Sequence, residues 1–247
     1  MSNNFAITSI FLNILAVILV LLIVSKNGYF DQTFINLYIN VFGLPSDNLS
    51  SQLWWQYSIN SQVKASQNKS YEVCIFGDSI TAPLGNTFGE NTFNFALNGM
   101  STISLIEQLK KLISANVSLK KAIIAIGTND ACYRIADDIF VKNMQQIIAL
   151  LKEMGANDII LLPAFYSTVA ASHNPIKAGT IARVEEINEL IRQVAATENV
   201  FLSEEIIQPL FEGQALKENL TSDGVHLKAD GKKIYRQALL TLLSSSL

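Results

Sequence analysis

Four short stretches hold residue types that can do nucleophilic chemistry. The apolar run "YEVCI" is broken by Phe76-Gly77-Asp78-Ser79-Ile80-Thr81, which leaves a hydroxyl at the end of a strand-like segment. A serine is a weak nucleophile at neutral pH and needs a positioned base, most often histidine. The chain has only two histidines, His173 and His226. His226 follows Asp223 by three residues in "TSDGVHL". An acid and an imidazole so spaced around a glycine can face the same way, the carboxylate holding one ring nitrogen while the other takes a proton. Ser79 is then the candidate nucleophile, with His226 its base and Asp223 the orienting acid. His173, in "STVAASHNPIKAG", is expected at the surface.

A tetrahedral oxyanion also needs convergent N–H donors. The candidates are the Ser79 backbone amide, the Gly99 amide in "LNGMS" and the Asn129 side-chain amide in "GTND". Glycine lets a backbone approach a substrate closely. An amide side chain can point at developing charge without adding charge of its own. Asp78 and Asp130 are expected to shape their loops as hydrogen-bond acceptors.

Other chemistries fail on spacing. There is no G-x-S-x-G elbow, "GVHLKADGKK" lacks the gap and hydroxyl of a P-loop, and no His, Asp or Glu cluster has metal spacing. Cys74 and Cys132 are too few for a disulfide scaffold and lack zinc spacing. A net charge of −3 argues against a nucleic-acid partner.

These residues need a frame. From Tyr71 onward, short apolar runs ("YEVCIF", "FNFAL", "KAIIAIG", "DIILLPAF", "NVFLS") alternate with helical stretches. In "IARVEEINELIRQVAATEN", Ile181, Val184, Ile187, Leu190, Ile191 and Val194 recur at three-to-four spacing. Such alternation predicts βαβ units and a three-layer, doubly wound parallel sheet of the α/β class. In such sheets sites form outside the carboxyl ends of the strands, where "GDSIT", "NGMST", "GTND" and "AFYST" all fall. The segment Tyr166 to Thr180 is expected to shape the pocket.

"FGDSIT", the glycine of "NFALNGMST", "IGTND" and "DGVHL" resemble, in order, the four blocks of the SGNH (GDSL-type) esterase and lipase superfamily. The resemblance covers Tyr71 to about Leu243, with Ile80 where leucine is commonest. It implies a flavodoxin-like sheet, a Ser79–His226–Asp223 triad, an oxyanion hole of Ser79, Gly99 and Asn129, and neither metal nor cofactor. The implied substrates are small-molecule, carbohydrate or lipid esters. The expected activity is hydrolysis of a short-chain, acetyl-sized ester. O-acetyl transfer to cell-wall or exported polysaccharide, a lipid-directed esterase and an idle interaction module are the rivals.

The first seventy residues stand apart. Phe5 to Val24 carry no charge, and twenty helical residues rise roughly 30 Å, the thickness of a bilayer core. "MSNN" and "LIVSKNGYF" lack the charged n-region and A-x-A site of a cleaved signal. The reading is a retained transmembrane anchor over residues 1–25, a stalk over 26–70 and the enzyme domain over 71–247. Lys26 read alone would hold its side in the cytoplasm; by analogy with anchored enzymes of exported polysaccharide, the domain is expected on the extracytoplasmic side. Within the stalk, "NLSSQLWWQYSINSQVKAS" is expected to form a helix with Leu53, Trp54 and Val63 along one side.

Overall fold

The computed structural model describes residues 32–244, together with helical residues 12, 13 and 15–17. The chain divides into two units, Met1–Leu44 and Pro45–Leu247. Besides those few helical residues, the described part of the first is helix α1 (Gln32–Phe42) with the turn after it. The expected anchor over Phe5 to Val24 lies largely outside the described residues. Among the described residues no helix is long and apolar enough to cross a membrane.

The second unit is built on one parallel sheet. Strands β1 (Ser70–Gly77), β2 (Thr92–Asn94), β3 (Ser118–Ala125), β4 (Asp158–Leu161) and β5 (Phe201–Leu202) lie in the order β2-β1-β3-β4-β5. Every pairing in it is parallel. This is the doubly wound order of flavodoxin-like folds. Helices α2 (Leu53–Ser66), α3 (Thr102–Ser114), α4 (Thr128–Tyr133), α5 (Asp137–Glu153), α6 (Val169–Ser172), α7 (Ile181–Glu198) and α8 (Ala229–Ser244) complete the unit, with a small hairpin of β6 (Phe211–Glu212) and β7 (Ala215–Leu216).

Period-two alternation assigns the strand side chains to two cores. Cys74, Phe76, Ala122, Ile124, Ile159 and Leu161 face one layer, where they meet Leu105 and Leu109 of α3, Phe140 and Ile147 of α5, and Ile187 and Ile191 of α7. Val73, Ile75, Ile123, Ala125 and Ile160 face the other, packed with Tyr235 and Leu239 of α8 and with Ile207 and Leu210. Local signals set the helix ends. Ser101 caps α3 in a box with Ser104, Thr180 caps α7 through the Arg183 amide, and Asn199 closes α7 in the left-handed region. β4 is shorter than the run "DIILLPAF" because Pro163 has no N–H to give a ladder.

The segment before β1 departs from expectation in two ways. The second unit begins at Pro45, so the stretch read as stalk over 26–70 is divided, and its C-terminal part belongs with the sheet. The helix is also rotated. Leu53 is 82% exposed and Trp54 47%, whereas Trp55 (1%) and Ile59 (0%) join the α3–α5–α7 core, with Val63 packed against it. Residues 55, 59 and 63 follow the four-residue ridge of a helix. Successive helical residues turn by about 100°, so with Trp55, Ile59 and Val63 set inward, Leu53 and Trp54 point away from that core.

Candidate active site

Each chemistry-bearing loop leaves the carboxyl end of a strand or the start of α8. After β1 the chain turns at once: the Thr81 and Ala82 amides donate to the Asp78 carbonyl at 3.1 and 2.9 Å. The Asp78 carboxylate takes the Ile80 amide at 2.9 Å. This turn presents Ser79 at the sheet edge. Burial pushes the Asp78 carboxyl up to about 6, against hydrogen bonds from Ile80 and Thr128 and the attraction of His226.

His226 and Asp223 sit in the loop before α8, which is pinched shut by the antiparallel bridge between Thr221 and Leu227. Ser79 Oγ lies 2.8 Å from His226 Nε2, and His226 Nδ1 lies 2.7 Å from Asp223 Oδ2. The other carboxylate oxygen accepts the His226 and Val225 amides at 2.8 and 2.9 Å. Partial burial works to raise the Asp223 pKa, but these bonds and the charge of His226 together hold it well below the usual carboxylate range. Asp223 therefore stays ionised and can fix the ring with Nε2 turned to the serine. The side chains of His226 and Asp223 are 49% and 47% exposed, so the relay is open to solvent.

A small cavity of about 70 Å³ opens beside the relay, lined by Ser79, Asn129, Cys132, Phe165, Val184 and His226 among others. Asn129 lies in the first turn of α4, and its Nδ2 donates to the Met100 carbonyl at 3.0 Å. A primary amide has two N–H donors, so this bond leaves the second for the cavity. Gly99 is not among the lining residues. It is tied to the site through its carbonyl, which accepts from the Tyr133 hydroxyl at 2.9 Å. Asp130, fully buried, accepts the Thr102 amide at 3.1 Å and the Thr102 hydroxyl at 2.6 Å. Burial raises its carboxyl to about 7, with the bonds from Thr102 opposing and the nearby Asp47 charge adding to the rise. α4 thus grips the 99–102 loop at three points.

His173 ends α6 and is exposed, outside the cavity wall. A larger groove of about 510 Å³ lies between α2 and α3, lined by Asn60, Val63, Glu107, Lys110 and Lys111 with others, and it holds neither the serine nor the histidine. Among the described residues no group of His, Cys, Asp and Glu is placed to hold a metal. The segment Tyr166 to Thr180, expected to shape the pocket, supplies Ser167, Lys177, Ala178 and Gly179 to the cavity wall, whereas sequence reasoning did not mark Cys132 or Val184. Val184 reads as one of a core stripe, and Cys132 carries no motif.

The profile of the GDSL-like lipase/acylhydrolase family matches residues 75–234. The chain belongs to that family. This GDSL-like acylhydrolase is an enzyme of the serine hydrolase type, and its five-stranded parallel sheet matches those of solved relatives. A GDSL-like lipase from Bacteroides thetaiotaomicron superposes with a TM-score of 0.62 at 19% identity, covering 79% of this chain and 98% of the other. An acetylxylan esterase from Geobacillus stearothermophilus gives 0.53 at 18% identity, covering 73% and 97%. At such identities the likeness speaks for the fold. An N-acylneuraminate cytidylyltransferase of Streptococcus agalactiae is 26% identical over 169 residues, 68% of this chain. The acylhydrolase chain spans 37% of the length of that curated relative.

Proposed function

We propose that the chain is a membrane-anchored serine esterase that hydrolyses a short-chain, acetyl-sized acyl ester through Ser79, His226 and Asp223. The observation that carries this reading is the Ser79–His226–Asp223 relay, with contacts of 2.8 and 2.7 Å, opening on a cavity of about 70 Å³. Pockets for larger ligands run to roughly 300–1,000 Å³, so this one suits the head of a small acyl group rather than a long chain.

Ser79 Oγ attacks the ester carbonyl as His226 Nε2 takes its proton, and Asp223 stabilises the imidazolium. The carbonyl oxygen, now anionic, is held by N–H donors of Ser79, Gly99 and Asn129. The intermediate collapses, the alcohol leaves with the proton from His226, and Ser79 carries the acyl group. Water then attacks, gives its proton to His226, and releases the acid and the free serine. A sugar hydroxyl in the place of that water would make the site an O-acetyltransferase; the open relay favours this as the second reading. The uncharged stretch Phe5 to Val24 supports the anchor, and we place the enzyme domain outside the cytoplasm.

The test is turnover of p-nitrophenyl acetate and p-nitrophenyl decanoate by the full chain in detergent, with Ser79→Ala beside it. Serine-dependent cleavage of the acetate, and little of the decanoate, is expected. Equal use of both esters, or turnover that survives Ser79→Ala, would sink the reading. Added sugar acceptors that raise product formation without free acetate would favour the transferase.

A further inference from the structure

Residues 45–51 precede the stretch that matches the family, yet they touch the loop that carries Gly99. The Asp47 carboxylate accepts the Ser101 hydroxyl and the Ser104 amide, the latter at 3.2 Å. Its other oxygen takes the Leu49 amide at 3.1 Å, which ties the two residues together. Leu49 is buried, and its methyl carbons lie 3.5 and 3.6 Å from where a Cβ on Gly99 would stand. The Tyr133 hydroxyl lies 3.3 Å from the same point. Gly99 holds φ at +75°, a backbone that other residues adopt with strain.

The loop is therefore held from two sides. α4 holds it through Asn129, Asp130 and Tyr133; the 45–51 segment holds it through Asp47 and Leu49. We propose that Asp47 and Leu49 are positioning residues that fix the Gly99 amide against Asn129, so that the oxyanion site of this chain extends beyond the family-matched residues. An oxyanion donor works only when preset within a few tenths of an ångström of the charge it meets. A loop held by α4 alone is anchored from one side only and can tilt away from it. Asp47 adds two bonds at the start of α3, and Leu49 fills the space behind the glycine.

The inference rests on the reading of Gly99 and Asn129 as oxyanion donors. Its test uses the full chain with Asp47→Ala, Asp47→Asn, Leu49→Ala and Asn129→Ala. Phenyl acetate measures turnover, and 1,1,1-trifluoroacetone, which a nucleophilic serine converts to a hemiketal oxyanion, measures oxyanion binding. Asp47→Ala and Leu49→Ala should lower kcat by between about 10- and 100-fold with KM little changed, the range for a displaced catalytic group. They should weaken the ketone by a similar factor and leave the shape of the pH profile alone. Asp47→Asn keeps one acceptor oxygen and should fall between, and it carries the comparison should Asp47→Ala not fold. Variants that lose urea stability while keeping kcat and ketone affinity would show a merely structural role and overturn the proposal. If Asn129→Ala weakens the ketone and the Asp47 and Leu49 variants do not, the brace alone fails. If Asn129→Ala itself leaves the ketone unaffected, the oxyanion reading fails and the brace with it.

Discussion

Replacing Gly224 by alanine should disable the relay without touching any of its members. Gly224 lies between Asp223 and His226 with φ at +88°, and its carbonyl takes the Thr168 amide at 2.8 Å. A Cβ there would stand 2.5 Å from the Ala171 Cβ and 2.7 Å from Thr168 Oγ1. Carbon atoms rest at roughly 3.5–4.0 Å, so the loop and α6 must part by about 1 Å. Displacement of that size takes the Ser79–His226 contact from 2.8 Å to the edge of hydrogen bonding, and a misplacement of about 1 Å can cost on the order of 10²-fold in kcat/KM. The left-handed backbone adds about 1–2 kcal/mol of strain, and overpacking a further 1–3 kcal/mol or so. Gly213 supplies the control. Its φ is +57°, and a Cβ there meets nothing within 4 Å. Gly213→Ala should thus lose about 1–2 kcal/mol in urea denaturation and keep its activity on phenyl acetate. Gly224→Ala should lose both. A Gly224→Ala enzyme within twofold of wild-type kcat/KM would refute the claim that this loop is held tightly enough to set the relay.

Ile59→Ala should cost about 2–5 kcal/mol in urea denaturation, as for a large-to-small change in a packed core, because Ile59 is wholly buried with the sheet layer; a change under about 0.5 kcal/mol, the range of surface positions, would return α2 to the role of a stalk. For the same reason a fragment starting at Pro45 should show a sharp thermal transition, and one starting at Tyr71 should not. Asp130 gives a pH test. Its folded carboxyl is raised to about 7 and that of Asp78 to about 6, so between about pH 4 and pH 7 the folded state binds more protons than the unfolded chain and stability falls as pH rises. Asp130→Asn, which keeps a carbonyl for the Thr102 hydroxyl, should flatten that slope in urea midpoints taken from pH 4.5 to 7.5, and an unchanged slope would count against the buried acid. Asp223 acts in the opposite sense and lower down: its carboxyl is depressed, so its contribution is present above the ordinary carboxylate range and is lost only as the pH falls well below it.

How much of this was legible in the sequence depends on the distance over which each interaction acts. The alternation that builds the sheet is local, so β1, β3 and the long helices stand nearly where the apolar runs put them. The relay was legible for a different reason. Ser79 and His226 are 147 residues apart, but the chain has only two histidines, and the acid needed to orient one of them lies three residues away. The α2 face was misread because Leu53, Trp54 and Trp55 are adjacent and all apolar; only the partner surface, Ile59 included, decides which of them turns inward. The Asp47 brace was illegible on both counts. "GLPSDNLSSQ" is a good turn and cap by local rules, and Asp47 does bond the Leu49 amide as such a turn requires. Its second oxygen serves Ser101 and Ser104, 54 and 57 residues further on. No local rule separates an aspartate that closes its own turn from one that also holds a distant helix start. The cavity beside Ser79 is a similar case, since Val184 is one of six residues on an even stripe and becomes a cavity wall only through the way α7 is set against Phe165 and Cys132. In this chain the hydrogen-bonded Ser79, His226 and Asp223 are thus carried by motifs, while their placement and the shape of the cavity beside them are set by residues whose types look ordinary, so substitutions at Asp47, Val184 and Gly224 are the ones that can separate the two.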